Sequence, residues 1–331
     1  MYMKIVYEND FIYIMYKTNG ERLRMKEKIL VIGSLNMDIM VSLKTMPGIG
    51  ETVSGYSLTY IPGGKGANQA CAAGKLLGDV SMLGCVGNDE FGKIQISNLE
   101  EAGVNVSKLK VSKKNPTGTA IIYVNEMGDN SIVIISGANG ECDIDYLKEN
   151  DDLFHWCDFV ILQMEIPYES VLYSIKRANR LNKKIILNPA PAPEELPDDI
   201  LKMLEYITPN ESELMKLANY ECRNLDDYIK ASRKLLKRGV KNVLVTLGEQ
   251  GVLLVNEKTE KIYPARKVES VDTTAAGDCF NAALTVGLSE NKSEEEAIIF
   301  ANISSSIVVT RKGAQSSLPD RAEVNEIIKT L

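Results

Sequence analysis

Short apolar runs recur along this chain, at residues 29–33, 80–86, 159–163, 185–187, 206–208 and 243–246, each too brief for a helix of ordinary length. Between them lie stretches whose apolar residues fall on one helical face: 63–73, 91–102, 168–181, 212–218 and 227–238, with further helices starting near Ala276, Ser293 and Ala322. Strands that are apolar at every position must be buried on both faces, and helices alternating with them supply the two covering layers. The expected fold is therefore α/β, a doubly wound and mostly parallel sheet with helices on both faces. Two segments break the rule. Residues 39–60, punctuated by Pro47, Gly48, Gly50 and Gly55, read as two exposed antiparallel strands, and residues 118–136 read as a second hairpin turning at 127–130. Together they predict a small β-sheet lid on one domain spanning residues 29–331.

Residues 1–28 read as an N-terminal extension outside that fold, and Met25 as an alternative start. The apolar stretch 11–16 is short and flanked by Glu8, Asp10 and Lys17, unlike the core of a secretory signal. No apolar run approaches the roughly 18 to 20 residues of a membrane span. The 45 acidic residues outnumber the 38 basic ones, giving a net charge of −7, which argues against nucleic acid or an anionic membrane as a partner. Six cysteines without a Cys-x-x-Cys pair, and the single His155, suggest neither a zinc site nor a disulfide framework, so a cytoplasmic location is expected.

The stretch Asp272-Thr-Thr-Ala-Ala-Gly-Asp-Cys-Phe280 carries the clearest chemistry. Small residues at Ala275, Ala276 and Gly277 leave backbone amides uncovered where a helix begins, and such a terminus attracts phosphate. Asp278, in the first turn, is placed to take a proton from an attacking hydroxyl. A plain helix start, with Thr274 as cap and Asp278 favoured by the helix dipole, accounts for the same residues. Polar residues just beyond other strands bear on the choice: Asn36, Asp38, Glu165, Asn188, Asn210 and Gly248 would all converge on one edge of a parallel sheet, where ligands bind. A crevice so rich in donors and acceptors suits a polyhydroxylated ligand such as a sugar. The first βα turn lacks the dinucleotide fingerprint, and Gly63-Gly-Lys-Gly-Ala-Asn68 lacks the ending of a P-loop, which disfavours a dehydrogenase and a P-loop ATPase. Asn210 and Glu213 have the spacing of a capping box, which needs no further role. His155, beside Trp156, and Cys279 read as structural.

Seven separated motifs, Gly33-Ser-Leu-Asn-Met-Asp38, Gly63-Gly-Lys-Gly-Ala-Asn-Gln69, Asn188-Pro-Ala-Pro191, Thr208-Pro-Asn-Glu211, Val245-Thr-Leu-Gly248, Asp272-Thr-Thr-Ala-Ala-Gly-Asp278 and Val309-Thr-Arg-Lys-Gly-Ala-Gln315, together resemble the ribokinase-like family of carbohydrate kinases. The resemblance runs from about Ile29 to the C-terminus. It implies ATP-dependent phosphorylation of D-ribose at its 5-hydroxyl, with Asp278 as general base and the amides of Ala275, Ala276 and Gly277 as an anion hole. It assigns sugar contacts to Asn36, Asp38, Gly64, Lys65, Asn68 and Glu165, and the nucleotide to Asn210, Glu213, Thr246, Gly248, Gly251, Gly277 and Asn302. It further implies Mg²⁺ carried with ATP, and a potassium ion (K⁺) held by Asp272 and Thr274 on one side and Val308, Arg311, Gly313 and Ser317 on the other. Ser316 departs from the family pattern, which more often has proline there. A homodimer through the lid is implied as well. A sibling kinase for deoxyribose, another sugar or a nucleoside is the alternative, and a non-catalytic sugar sensor a more distant one.

Overall fold

The computed structural model describes residues 2–8, 11–17 and 26–330. Tyr2–Glu8 and Phe11–Lys17 pair antiparallel in a two-stranded sheet of their own. Met25 and most of the remaining extension lie outside the described residues.

An eight-stranded sheet organises the rest. Its spatial order is Glu260–Tyr263, Val252–Asn256, Asn242–Thr246, Tyr206–Ile207, Lys184–Leu187, Phe159–Leu162, Lys28–Ile32 and Asp79–Leu83. The last six run parallel, with Phe159 opposite both Ile29 and Lys184. Successive side chains point to opposite faces, so Ile29 and Val31 enter one core and Leu30 and Ile32 the other. The first core is closed by the helices Lys65–Lys75, Ala276–Ser289 and Glu294–Val308, the second by Tyr168–Arg180, Glu211–Ala218 and Leu225–Lys237.

Two details depart from expectation. The run 80–86 is not one strand: after Leu83 the chain passes Gly84, and Cys85–Gly87 pairs with Lys110–Ser112 instead. A side chain at Gly84 would lie 2.8 Å from the Gly33 carbonyl and 2.4 Å from Leu35, so only glycine permits that close passage. The hairpin Val252–Asn256 with Glu260–Tyr263 was not anticipated, and it extends the sheet antiparallel at one edge.

A separate four-stranded sheet has the order Asn130–Ile135, Gly118–Val124, Asn36–Leu43, Gly55–Gly63. Its two hairpins are joined by parallel pairing of Asn36–Leu43 with Gly118–Val124. The strand begins at Asn36 rather than 39, so Asn36 and Asp38 belong to this sheet, two residues apart and on one face. The opposite face carries Ile39, Tyr60, Ile121 and Val133 in one row and Val41, Leu58 and Tyr123 in the next. Leu58, Tyr60 and Val133 are more than half exposed.

Candidate active site

Asp278 sits in the first turn of the Ala276–Ser289 helix and is buried. Its Oδ2 accepts a hydrogen bond from Asn68 Nδ2 at 2.9 Å, and its Oδ1 accepts one from Gln69 Nε2 at 3.0 Å. An ionised carboxylate only accepts, so both amides must turn their NH₂ groups to it. Among the described residues the carbonyl oxygen of Asn68, which is buried, has no partner. Such an orphan acceptor is costly unless a ligand hydroxyl satisfies it.

The helix start departs from a plain cap. Its first flanking residue is Ala275, in the left-handed region at φ 61°, and no side chain caps it. Thr274 instead donates its amide and hydroxyl to Asp272 Oδ1. The three expected anion-hole amides are not equivalent. The Ala276 N–H closes a turn on the Thr273 carbonyl at 3.2 Å, which corrects its assignment as a free donor. Among the described residues the N–H groups of Ala275, Gly277 and Asp278 meet no acceptor, and Gly277 has open space where a side chain would stand. Free first-turn donors at the positive end of a helix are what an anion needs.

Three charged side chains expected at the sugar site, Asp38, Lys65 and Glu165, come together around Asp278. Burial first, then the charges of Glu165 and Asp278, push the Asp38 carboxyl up to about 7, with Lys65 opposing. Burial pulls the Lys65 ammonium down, but the carboxylates of Asp278, Glu165, Glu213 and Asp38 outweigh it and hold the group above its usual range. Glu165 Oε2 accepts from Ser34 Oγ at 2.5 Å and from the Lys65 amide at 3.1 Å, so it caps the start of the Lys65–Lys75 helix. Gly64 makes the turn before that helix at φ 87°, where a side chain would meet the Asn36 amide at 2.6 Å. Asn36 is fixed by Asn139, whose Nδ2 donates to Asn36 Oδ1 at 2.7 Å. Gln95 Nε2 donates to the Asn36 and Gly63 carbonyls, tying the root of the small sheet to the Glu90–Glu101 helix.

On the nucleotide side, Asn210 and Glu213 form the capping box of the Glu211–Ala218 helix. Burial raises the Glu213 carboxyl, opposed by the Asn210 amide and by Lys65 and reinforced by the charge of Asp278. Asn210, beyond the end of the Tyr206–Ile207 strand, makes an isolated parallel bridge to Thr246. Gly248 and Gly251 both have positive φ, and a side chain at Gly251 would collide with the Tyr263 carbonyl. Asn302 donates to that carbonyl at 3.1 Å.

The two loops expected to hold a cation meet. Asp272 Oδ2 accepts from the Gly313 amide at 2.9 Å, and the Val309 carbonyl accepts from the Val271 amide at 2.7 Å. Burial opposes ionisation of Asp272, but these hydrogen bonds from Thr274 and Gly313 hold its carboxyl below the usual range. The Arg311 side chain turns away to Glu323, Ser317 Oγ donates to the Ala314 carbonyl, and Val308 is core. Among these three only backbone carbonyls could face a cation.

Outside the cleft, His155 is exposed beside Arg177 and Asp151. Burial pushes the Cys279 thiol well up, as befits a packing residue. All six cysteines are free, and among the described residues no helix is long and apolar enough to cross a membrane. Gln69, Gln163, Asn139 and Gln95 have no role legible in the sequence. Their only signal is a polar residue inside an otherwise buried segment.

The sequence pattern of the pfkB family of carbohydrate kinases matches residues 26–321. A ribokinase of Bacillus subtilis is 40% identical over 300 residues, covering 91% of this chain and 99% of the relative. A deoxyribokinase of Salmonella typhi is 36% identical over 303 residues, covering 91% and 98%. The solved structure of Arabidopsis thaliana ribokinase with ribose and ATP superimposes with a TM-score of 0.86 at 33% identity, covering 92% of this chain and 99% of that one. With a buried carboxylate at an open helix start, a sheet of this order and relatives matched nearly end to end, the chain belongs to the pfkB family of carbohydrate kinases.

Proposed function

We propose that this kinase transfers the γ-phosphoryl group of ATP to the 5-hydroxyl of D-ribose. The observation that carries the reading is the Asp278 carboxylate, held by two amides beside free first-turn N–H groups. In the transfer, the sugar oxygen bonds to the γ-phosphorus, the bond to the ADP oxygen breaks, and the hydroxyl proton passes to Asp278. General-base help of this kind is worth about two to four orders of magnitude. The amides of Ala275 and Gly277 stabilise charge on the phosphoryl oxygens as it develops. Asn36, Asp38, Gly64, Lys65, Asn68 and Glu165 hold the sugar, and the orphan Asn68 oxygen receives one of its hydroxyls. Asn210, Glu213, Thr246, Gly248, Gly251 and Asn302 line the nucleotide.

Magnesium supplies charge neutralisation at the phosphates when bound. As a hard cation that keeps several waters, it suits the Glu213 carboxylate without demanding a cage of side chains. A potassium ion would be held beside Asp272 by the carbonyls of Thr274, Val308, Arg311, Gly313 and Ser317, with the Asp272 carboxylate balancing its charge. Copies of the chain pair through the outer face of the small sheet, and free cysteines suit a cytoplasmic setting.

Phosphorylation of deoxyribose is the second reading, because the deoxyribokinase relative, at 36% identity, falls within the 35–40% spanned by ribokinase relatives. ATP turnover against ribose, deoxyribose, fructose and nucleosides, with magnesium and with or without potassium, tests both. Ribose should give the highest kcat/KM. Preference for deoxyribose would select the second reading, and no turnover with any of them would remove both.

A further inference from the structure

Asp278 is the front of a longer buried chain of hydrogen bonds. Gln69 and Gln163 are fully buried. Gln163 Nε2 donates to Gln69 Oε1 at 2.6 Å, so Gln69 must turn its NH₂ group the other way. That group donates to Asp278 Oδ1 at 3.0 Å and to Asn188 Oδ1 at 3.2 Å. Asn188 Nδ2 donates to the Thr208 carbonyl, Thr208 Oγ1 to Asn281 Oδ1 at 2.6 Å, and Asn281 Nδ2 to the Gly277 carbonyl at 2.9 Å. The chain thus leaves the carboxylate, crosses the ends of two neighbouring strands, and returns to the residue just before Asp278.

We propose that Gln69 is a positioning residue, fixed by Gln163 and Asn188, which holds the Asp278 carboxylate in the orientation that accepts the hydroxyl proton. Both N–H groups of Gln69 and its oxygen are already committed, so it has nothing to offer a substrate and acts only through Asp278. Without it, Oδ1 loses the one side-chain donor it has among the described residues, and the carboxylate can rotate about its last bond. The inference rests on the reading of Asp278 as the base.

The test is steady-state kinetics with D-ribose and ATP on Gln69→Leu, Gln69→Glu, Asp278→Asn and the Gln69→Leu/Asp278→Asn double variant. Gln69→Leu should lower kcat roughly tenfold to a hundredfold, the range that a misplacement of up to an ångström produces, with KM for ribose nearly unchanged. In Gln69→Glu only the protonated carboxyl can donate to Asp278, so its kcat should recover as pH falls, unlike that of the wild type. On the Asp278→Asn background Gln69→Leu should add no further loss. A loss that multiplies onto Asp278→Asn, or a Gln69→Glu profile parallel to wild type, would overturn the proposal. Near-normal turnover in Asp278→Asn alone would overturn the base assignment, and the role of Gln69 with it. If Gln69→Leu does not fold, Gln163→Leu carries the same test from one step further back: lower kcat with KM retained supports the chain, and unchanged kcat rejects it.

Discussion

Asn68 Nδ2 and Asp278 Oδ2, 210 residues apart in sequence, lie 2.9 Å from one another where the starts of two helices face across a cleft. One asparagine thereby orients the proposed base with its nitrogen and presents an unpartnered oxygen with its carbonyl. Asn68→Ala should remove both. A hydrogen bond to a charged group contributes about 1.5–3 kcal/mol, so kcat/KM for ribose should fall about tenfold to a hundredfold. Ribose alone should raise the Tm of the wild type and leave that of the variant unmoved; an equal shift in both would remove Asn68 from the sugar site.

Asp38 makes the site pH-sensitive. Folded, it keeps its proton up to about pH 7, whereas the unfolded chain releases it near 3.8. Through this group the free protein loses stability as pH rises across that window, and Asp38→Asn should lessen the loss in melts recorded from pH 5 to 8. Only the ionised carboxylate accepts two sugar hydroxyls. KM for ribose should therefore fall as pH rises from 6 towards 8; a KM independent of pH would sink the assignment of Asp38 to the sugar.

Asp272 joins the two cation loops through Thr274 and Gly313. Asp272→Asn removes the charge and leaves one oxygen, which can accept from Thr274 or from Gly313 but not from both. Turnover titrated with potassium chloride should show wild-type activation that the variant loses, or reaches only at much higher salt. Identical titration curves would place the cation elsewhere or dispense with it.

The outer face of the small sheet makes a physical prediction of its own. Leu58 and Val133 are exposed there among other apolar side chains, and a patch of that kind marks an interface. Leu58→Lys or Val133→Lys should shift the sedimentation coefficient from that of a dimer to that of a monomer. A wild type that sediments as a monomer at micromolar concentration would contradict the pairing.

The parallel strands were legible because each carries a short apolar run, as at Phe159–Leu162, and burial on both faces leaves that mark. Asp278 and the small residues before it were legible because a bare helix start beside an acid is a local pattern. What sequence concealed is whatever depends on partners far along the chain. The Ala276 amide is lost to Thr273 through a left-handed turn at Ala275, an unusual conformation for alanine. Gln69 lies in a motif and still carried no visible role, since its meaning comes from Gln163 and Asp278, 94 and 209 residues away. The hairpin Val252–Asn256 with Glu260–Tyr263 was hidden for a different reason: Val252–Val255 are buried throughout, so alternation gave no sign of an antiparallel edge.

If Asp278 takes the proton, Asp278→Asn assayed with D-ribose, ATP, magnesium and potassium loses that function alone. The amide keeps the size of the side chain and removes the base. Turnover should fall by at least about two orders of magnitude while ribose still binds in a calorimetric titration. Turnover within a few-fold of wild type would mean that a group other than Asp278 takes the proton.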